Sequence, residues 1–177
     1  MNNFARRAAG KSRESGMSLL ELMIAGVVLI VGFLGVMVLV TGAIAGNNRN
    51  RMDSSATMLT QMVVEQLATL PRPDGTTTVT ITDCAGNNWT LSAAAGGAPL
   101  SGTSINFSSA QVTNYSMNYV VCGANNTQAT YDVRWNVQSL SPGFTSLVTV
   151  AARPRGATGD LRRFAIPVSV RVITGRS

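Results

Sequence analysis

From Leu19 to Ala45 the chain reads LLELMIAGVVLIVGFLGVMVLVTGAIA, and no charged side chain falls between Glu21 and Arg49. This stretch constrains the fold more than any other feature. About twenty consecutive apolar residues suffice to span a bilayer, so the segment is long enough to cross one. A second helical stretch follows with no proline between, from about Asn48 to Leu70, with Gly46 at the junction. There Met52, Ala56, Leu59, Val63, Gln66, Leu67 and Leu70 fall near the i, i+3, i+4, i+7 spacing of one face. Arg49, Asp53, Gln61 and Glu65 lie mostly off that face, and Pro71 and Pro73 are expected to end the helix. A helix continuous from Met17 to Leu70 would be ~80 Å long at 1.5 Å per residue. No compact domain of this size buries such a helix. Its first half therefore belongs in lipid or among copies of itself.

The flanks differ sharply in character. Residues 1–16 are polar and basic, with Arg6, Arg7, Lys11 and Arg13 against Glu14, and they end in Ser15-Gly16. They read as a disordered leader. The chain carries a formal charge of +6, and this tail holds half of the excess. A basic patch can signal nucleic-acid binding. Placed directly before an apolar run, it reads more simply as a topology signal that keeps the tail cytoplasmic. Arg49 and Arg51 beyond the run reduce the asymmetry without reversing it.

From Asp74 onward the residues are those of turns and strands. Thr76–Thr82 and Tyr115–Val121 are rich in β-branched or aromatic residues, and Ser146–Ala151 reads as a further strand. Tyr131, Val133, Trp135 and Val137 alternate with Asp132, Arg134 and Asn136, the pattern of a half-buried strand. Phe164, Ile166, Val168, Val170 and Val172 alternate as the last strand, with Pro167 on the opposite face arguing for an edge position. The Gly/Ala/Asn-rich segments Ala85–Gly102 and Gly123–Gln128 read as loops. The expected fold is α+β: a long, protruding N-terminal helix whose second half packs on an antiparallel β-sheet. The divisions are residues 1–16 (leader), 17–46 (apolar helix), 47–70 (amphipathic helix) and 71–177 (β-rich domain).

Cys84 and Cys122 both follow the apolar segment. If that part is exported, an oxidising compartment favours a disulfide between them; two unrelated buried thiols are the alternative. Closing a loop of about forty residues would stabilise the fold by ~3–4 kcal/mol.

Glu21 is physically out of place. A carboxylate in the bilayer core costs several kcal/mol unless it is paired or near the interface, so an intramembrane acid is a functional hypothesis by default. Cleavage between Gly16 and Met17 would create a positive α-amino group four residues before it. One chain's carboxylate could then pair with a neighbour's terminus as apolar helices pack side by side.

These residues, GMSLLELMIAGVVLIVGFLGV after a basic leader, resemble the signal segment of type IV pilins and type II secretion pseudopilins. The resemblance covers roughly residues 10–45, and the apolar run with a β-rich C-terminal part looks most like the PilV-type minor pilins. It implies cleavage after Gly16 by a membrane prepilin peptidase and methylation of the new terminus at Met17. It also implies an assembly role for Glu21, the fifth residue of the mature chain. The implied partners are other pilin subunits, the peptidase, the assembly platform and membrane lipid. The implied location is the inner membrane, with the C-terminal domain periplasmic, and then a surface pilus. Two departures stand out: Met17 occupies a position most often Phe, and the helix-breaking proline of major pilins is absent, with Val38 near its place. Gly32 and Gly35 are candidates to loosen the helix there, and Gly42-x-x-x-Gly46 is a candidate close-packing site.

Rival readings explain less. Ala43-Ile44-Ala45 resembles a secretory cleavage site, but the apolar stretch exceeds a signal's 7–15 residues. A plain membrane anchor carrying an adhesin or DNA-binding module leaves Gly16 and Glu21 unexplained. An enzyme is not expected: the chain has no histidine, the acids Asp74, Asp83, Asp132 and Asp160 are dispersed, and the cysteines lack C-x-x-C spacing. No metal or cofactor is implied. Arg153, Arg155, Arg162 and Arg163 flank a Gly-rich turn. They read either as a solvated hairpin end or as a contact patch for other subunits or a phosphate polymer such as DNA.

Overall fold

The computed structural model describes residues 18–70, 78–123, 128–141, 145–155 and 166–175. The fold is α+β, one long helix with antiparallel sheets, as expected from the sequence. The chain divides into two units, Met1–Gly46 and Asn47–Ser177.

Helix α1 runs unbroken over Leu19–Thr69, 51 residues. Its composition explains this: leucine, methionine and alanine favour helix, and no proline interrupts the run. Gly32, Gly35 and Gly46 all lie within regular helix, so the expected loosening at the first two is not seen. Pro71 and Pro73, expected as the terminators, lie outside the described residues.

In the second unit, Ala56, Leu59, Thr60, Val63 and Leu67 form the buried stripe of α1. All but Thr60 were legible from the spacing. Thr60 is tolerated because its hydroxyl donates back to Thr57 O at 2.7 Å, which satisfies a polar group that would otherwise be stranded in the core. The stripe joins Tyr131, Val133, Trp135, Val137, Val148 and Val150 in one core. Trp135 is wholly buried, and its indole N–H donates to Ser92 O at 3.0 Å.

The strands are β1 (Thr78–Thr82), β2 (Asn88–Ser92), β3 (Gly96–Gly97), β4 (Leu100–Ser101) and β5 (Ser104–Ile105). They continue with β6 (Ser116–Cys122), β7 (Gln128–Ser141), β8 (Thr145–Arg155) and β9 (Val168–Gly175). In the main sheet β7 is central: β8 pairs with one of its edges, β6 and β3 share the other, and β9 lies outside β8. Strands β1–β2 and β4–β5 form separate two-stranded pairs. The last strand begins later than expected: Ile166 and Pro167 precede β9, Phe164 lies outside the described residues, and among the described residues β9 is at the edge of the sheet.

Two expectations are corrected. Ala85–Gly102 is not a loop throughout, since it contains β2, β3 and β4. β2 pairs with β1 in register, Ile81 opposite Trp89 and Val79 opposite Leu91. Gly97 serves a close approach: a Cβ there would sit 2.5 Å from Trp135 O, and its φ of 123° disfavours any other residue. Nor is β7 half-buried, because Tyr131 through Trp135 are all buried. The face away from α1 is covered by a second small core of Ala98, Ile105 and Ala151, with Leu100 and Phe107 against it.

Candidate functional site: the apolar helix and the charged clusters

In the first unit, Ser18 O accepts the first helical bond from Leu22 N at 3.1 Å. Glu21 therefore lies in the first turn of α1. An anion there is favoured by the partial positive charge of the helix N-terminus. From Glu21 to Arg49 the helix presents no other charge, and its large apolar side chains are exposed all round, with Leu19, Leu29 and Leu39 each about three-quarters accessible. The stretch is long and apolar enough to cross a membrane. Thr41 shows how its polar groups are handled: its hydroxyl donates back to Met37 O and Val38 O, both at 3.0 Å. A Cβ on Gly26, Gly32, Gly35, Gly42 or Gly46 would meet nothing within 4 Å. The chain's own packing therefore does not require glycine at these positions. Gly16 and Met17, expected as the cleavage pair, lie outside the described residues.

Cys84 and Cys122 form a disulfide, with Cα atoms 5.9 Å apart and a sequence separation of 38. It ties the β1–β2 turn to the end of β6. Asp83, beside it, organises the same junction. Its Oδ1 accepts from the backbone N–H groups of Ala85 at 3.0 Å and Asn87 at 2.9 Å. Its Oδ2 accepts from Asn87 Nδ2 at 2.9 Å, Trp89 Nε1 at 3.1 Å and Val120 N at 3.3 Å. Burial alone would raise its pKa, but these donors outweigh it and hold the carboxyl at about 2. Dispersed in sequence, the acid gave no sign of this role. The Asp-Cys-Ala-Gly-Asn run was the available turn signal.

Only two of the four arginines of the suggested patch, Arg153 and Arg155, lie among the described residues. Arg162 and Arg163 lie outside the described residues, and Arg155 is exposed at the end of β8. Arg153 is already engaged: its Nη2 donates to Asp132 Oδ2 at 3.2 Å, and its guanidinium lies 4.5 Å from the Phe107 ring centroid. Asp132 also receives a fork from Arg134, Nε to Oδ1 at 2.9 Å and Nη2 to Oδ2 at 3.0 Å, and a bond from Gln111 at 3.0 Å. Arg134 Nη1 donates in turn to Ser109 O at 2.7 Å, which fastens the 106–111 segment over the sheet. Burial would raise the Asp132 pKa, but the Arg134 and Gln111 bonds and the two guanidinium charges bring it below the usual carboxylate value. This cluster is internally satisfied, and its geometry is that of a structural latch.

Among the described residues no group of three or more histidine, cysteine or acidic side chains could hold a metal. Comparison with family models, curated proteins and solved structures gave no match.

Proposed function

We propose that this chain is a filament subunit of the type IV pilin kind, a minor pilin processed at Gly16 and assembled from the inner membrane. The observation that carries the reading is the first half of α1: an apolar helix with every large side chain exposed and one acid in its first turn. Such a surface needs lipid before assembly and apolar neighbours afterwards. Glu21 then has a function that a simple anchor would not give it, pairing with the positive amino terminus that cleavage creates on an adjacent subunit. The folded second unit is the part displayed outside the membrane, where a disulfide is stable. Arg153 is already engaged by Asp132 and Phe107, which gives it a structural role within the second unit.

Glu21→Val tests the mechanism. The segment becomes more apolar, so insertion persists, and cleavage at Gly16 is unaffected. Leaving the neighbour's amino terminus unpaired among apolar helices costs ~2–5 kcal/mol, which lowers assembly by roughly thirty- to several-thousand-fold. Fractionation with immunoblotting is expected to show processed, membrane-resident subunit missing from sheared filaments. Normal incorporation of the valine form would remove the pairing argument.

A further inference from the structure

The two outer edges of the main sheet are finished differently. On the β6 edge the outward N–H of Val120 is taken by Asp83 Oδ2 at 3.3 Å, and Cys122 is bonded to Cys84. That edge is capped at Val120 and Cys122. On the β9 edge, no strand among the described residues pairs with the outer side.

The register shows which groups β9 presents. Trp135 N donates to Tyr115 O at 3.0 Å and Trp135 O accepts from Ala98 N at 2.9 Å, so the Trp135 backbone faces away from β8. In an antiparallel ladder, directly opposed residues either exchange both bonds or both face outward, and the two kinds of pair alternate. Val150, opposite Trp135, therefore faces β9 and bonds with Val170, its own partner there. Ser169, Arg171 and Ile173 consequently turn their backbone N–H and C=O groups outward. All three are exposed, and Ile173 is 65% accessible. The strand has eight residues, no internal proline and no bulge in its pairing with β8. Among the described residues the edge is blunted only by the charge of Arg171 and by Pro167 just before the strand.

We propose that the outer edge of β9 is a docking site for an extended strand of a different polypeptide, one that sets an acidic residue beside Arg171. The outward backbone groups of Ser169, Arg171 and Ile173 suit a strand, which supplies donors and acceptors at their two-residue spacing. Charge decides whose strand it is. Arg171 makes no ion pair among the described residues, and residues 47–177 hold ten arginines against six acidic residues. Pairing β9 with the β9 of a second copy about Arg171 would oppose like charges in a unit that is already basic. An acidic strand from another chain has no such conflict. The proposal does not depend on the filament reading, since an anchored subunit of any envelope assembly presents the same edge.

The test uses the full chain. In detergent, the amides of Ser169, Arg171 and Ile173 are expected to exchange about 100-fold or more faster than those of Val170 and Val172. Equal protection of all five would mean that the chain covers its own edge, and would overturn the proposal. A photo-crosslinking residue at Ser169, in protein expressed within its native envelope, is expected to join an extended peptide of another polypeptide with Asp or Glu in register with Arg171. A bond to β9 of a second copy, or none, would contradict it. Ser169→Pro removes an outward N–H only, so it is expected to keep the melting temperature and abolish crosslinking from position 173. Val170→Pro removes an inward N–H and is expected to lower the melting temperature. Arg171→Glu, which leaves the backbone intact, is expected to lose the crosslink as well; its retention would refute the acidic partner.

Discussion

Replacing Cys84 with serine removes the covalent tie between the β1–β2 turn and β6, and the fold indicates the size of the effect. The two cysteines are 38 positions apart, and closing a loop of that length in the unfolded chain is worth about 4 kcal/mol in the chain-entropy estimate. The native side adds to the loss, because Asp83 bonds Val120 N across the same junction and depends on the two segments staying together. A loss of about 4 kcal/mol lowers the melting temperature of a unit this size by roughly 10–20 °C. Denaturation of the detergent-solubilised chain can be followed by tryptophan fluorescence, since Trp135 is fully buried and Trp89 sits on Asp83. Cys122→Ser is expected to match Cys84→Ser, and the double variant to add little, as one shared bond requires. Two single losses that simply add in the double variant, or an intact mass showing two free thiols, would refute the reasoning.

Two further predictions concern the charged clusters. Asp132→Ala strands Arg134, whose side chain is only 6% accessible, and is expected to cost about 3–5 kcal/mol in equilibrium unfolding; a loss under about 1 kcal/mol would mean that the latch is dispensable. Asp83 is held at a pKa of about 2 in the fold, below the ordinary aspartate value of 3.8, so it stabilises the fold fully above about pH 4, and that contribution is lost as pH falls through 2. Asp83→Asn is expected to flatten the stability curve between those values, and an unchanged acid limb would contradict the assignment.

The long helix was legible because a sustained apolar run and a 3.6-residue spacing survive any tertiary context. Most of the edge strand was legible too: Val168, Val170 and Val172 are half-buried positions of β9, in the alternation read from the sequence, whereas Ile166 precedes the strand and is exposed. Strand β7 shows where such reading stops. Its polar set, Asp132 and Arg134, looks like a solvated face, and only the return of residues 98–111 over the sheet makes it a buried ion pair. Strand β2 was hidden by its Gly/Ala/Asn-rich surroundings, although Trp89 and Leu91 alternating with Asn88 and Thr90 were a usable signal. The near neighbours Arg153 and Arg155 differ in environment, one held by Asp132 and the other exposed, and the sequence carries no signal of that difference.

The central claim is that this chain is cut at a defined bond and carried into a filament. The most direct test is the N-terminal sequence and intact mass of the chain recovered from sheared surface filaments. The chain is expected to begin at Met17, with a methyl group on its amino terminus and two hydrogens missing for the Cys84–Cys122 bond. A chain beginning at Met1 or Gly46, or found only in the membrane fraction, would contradict it.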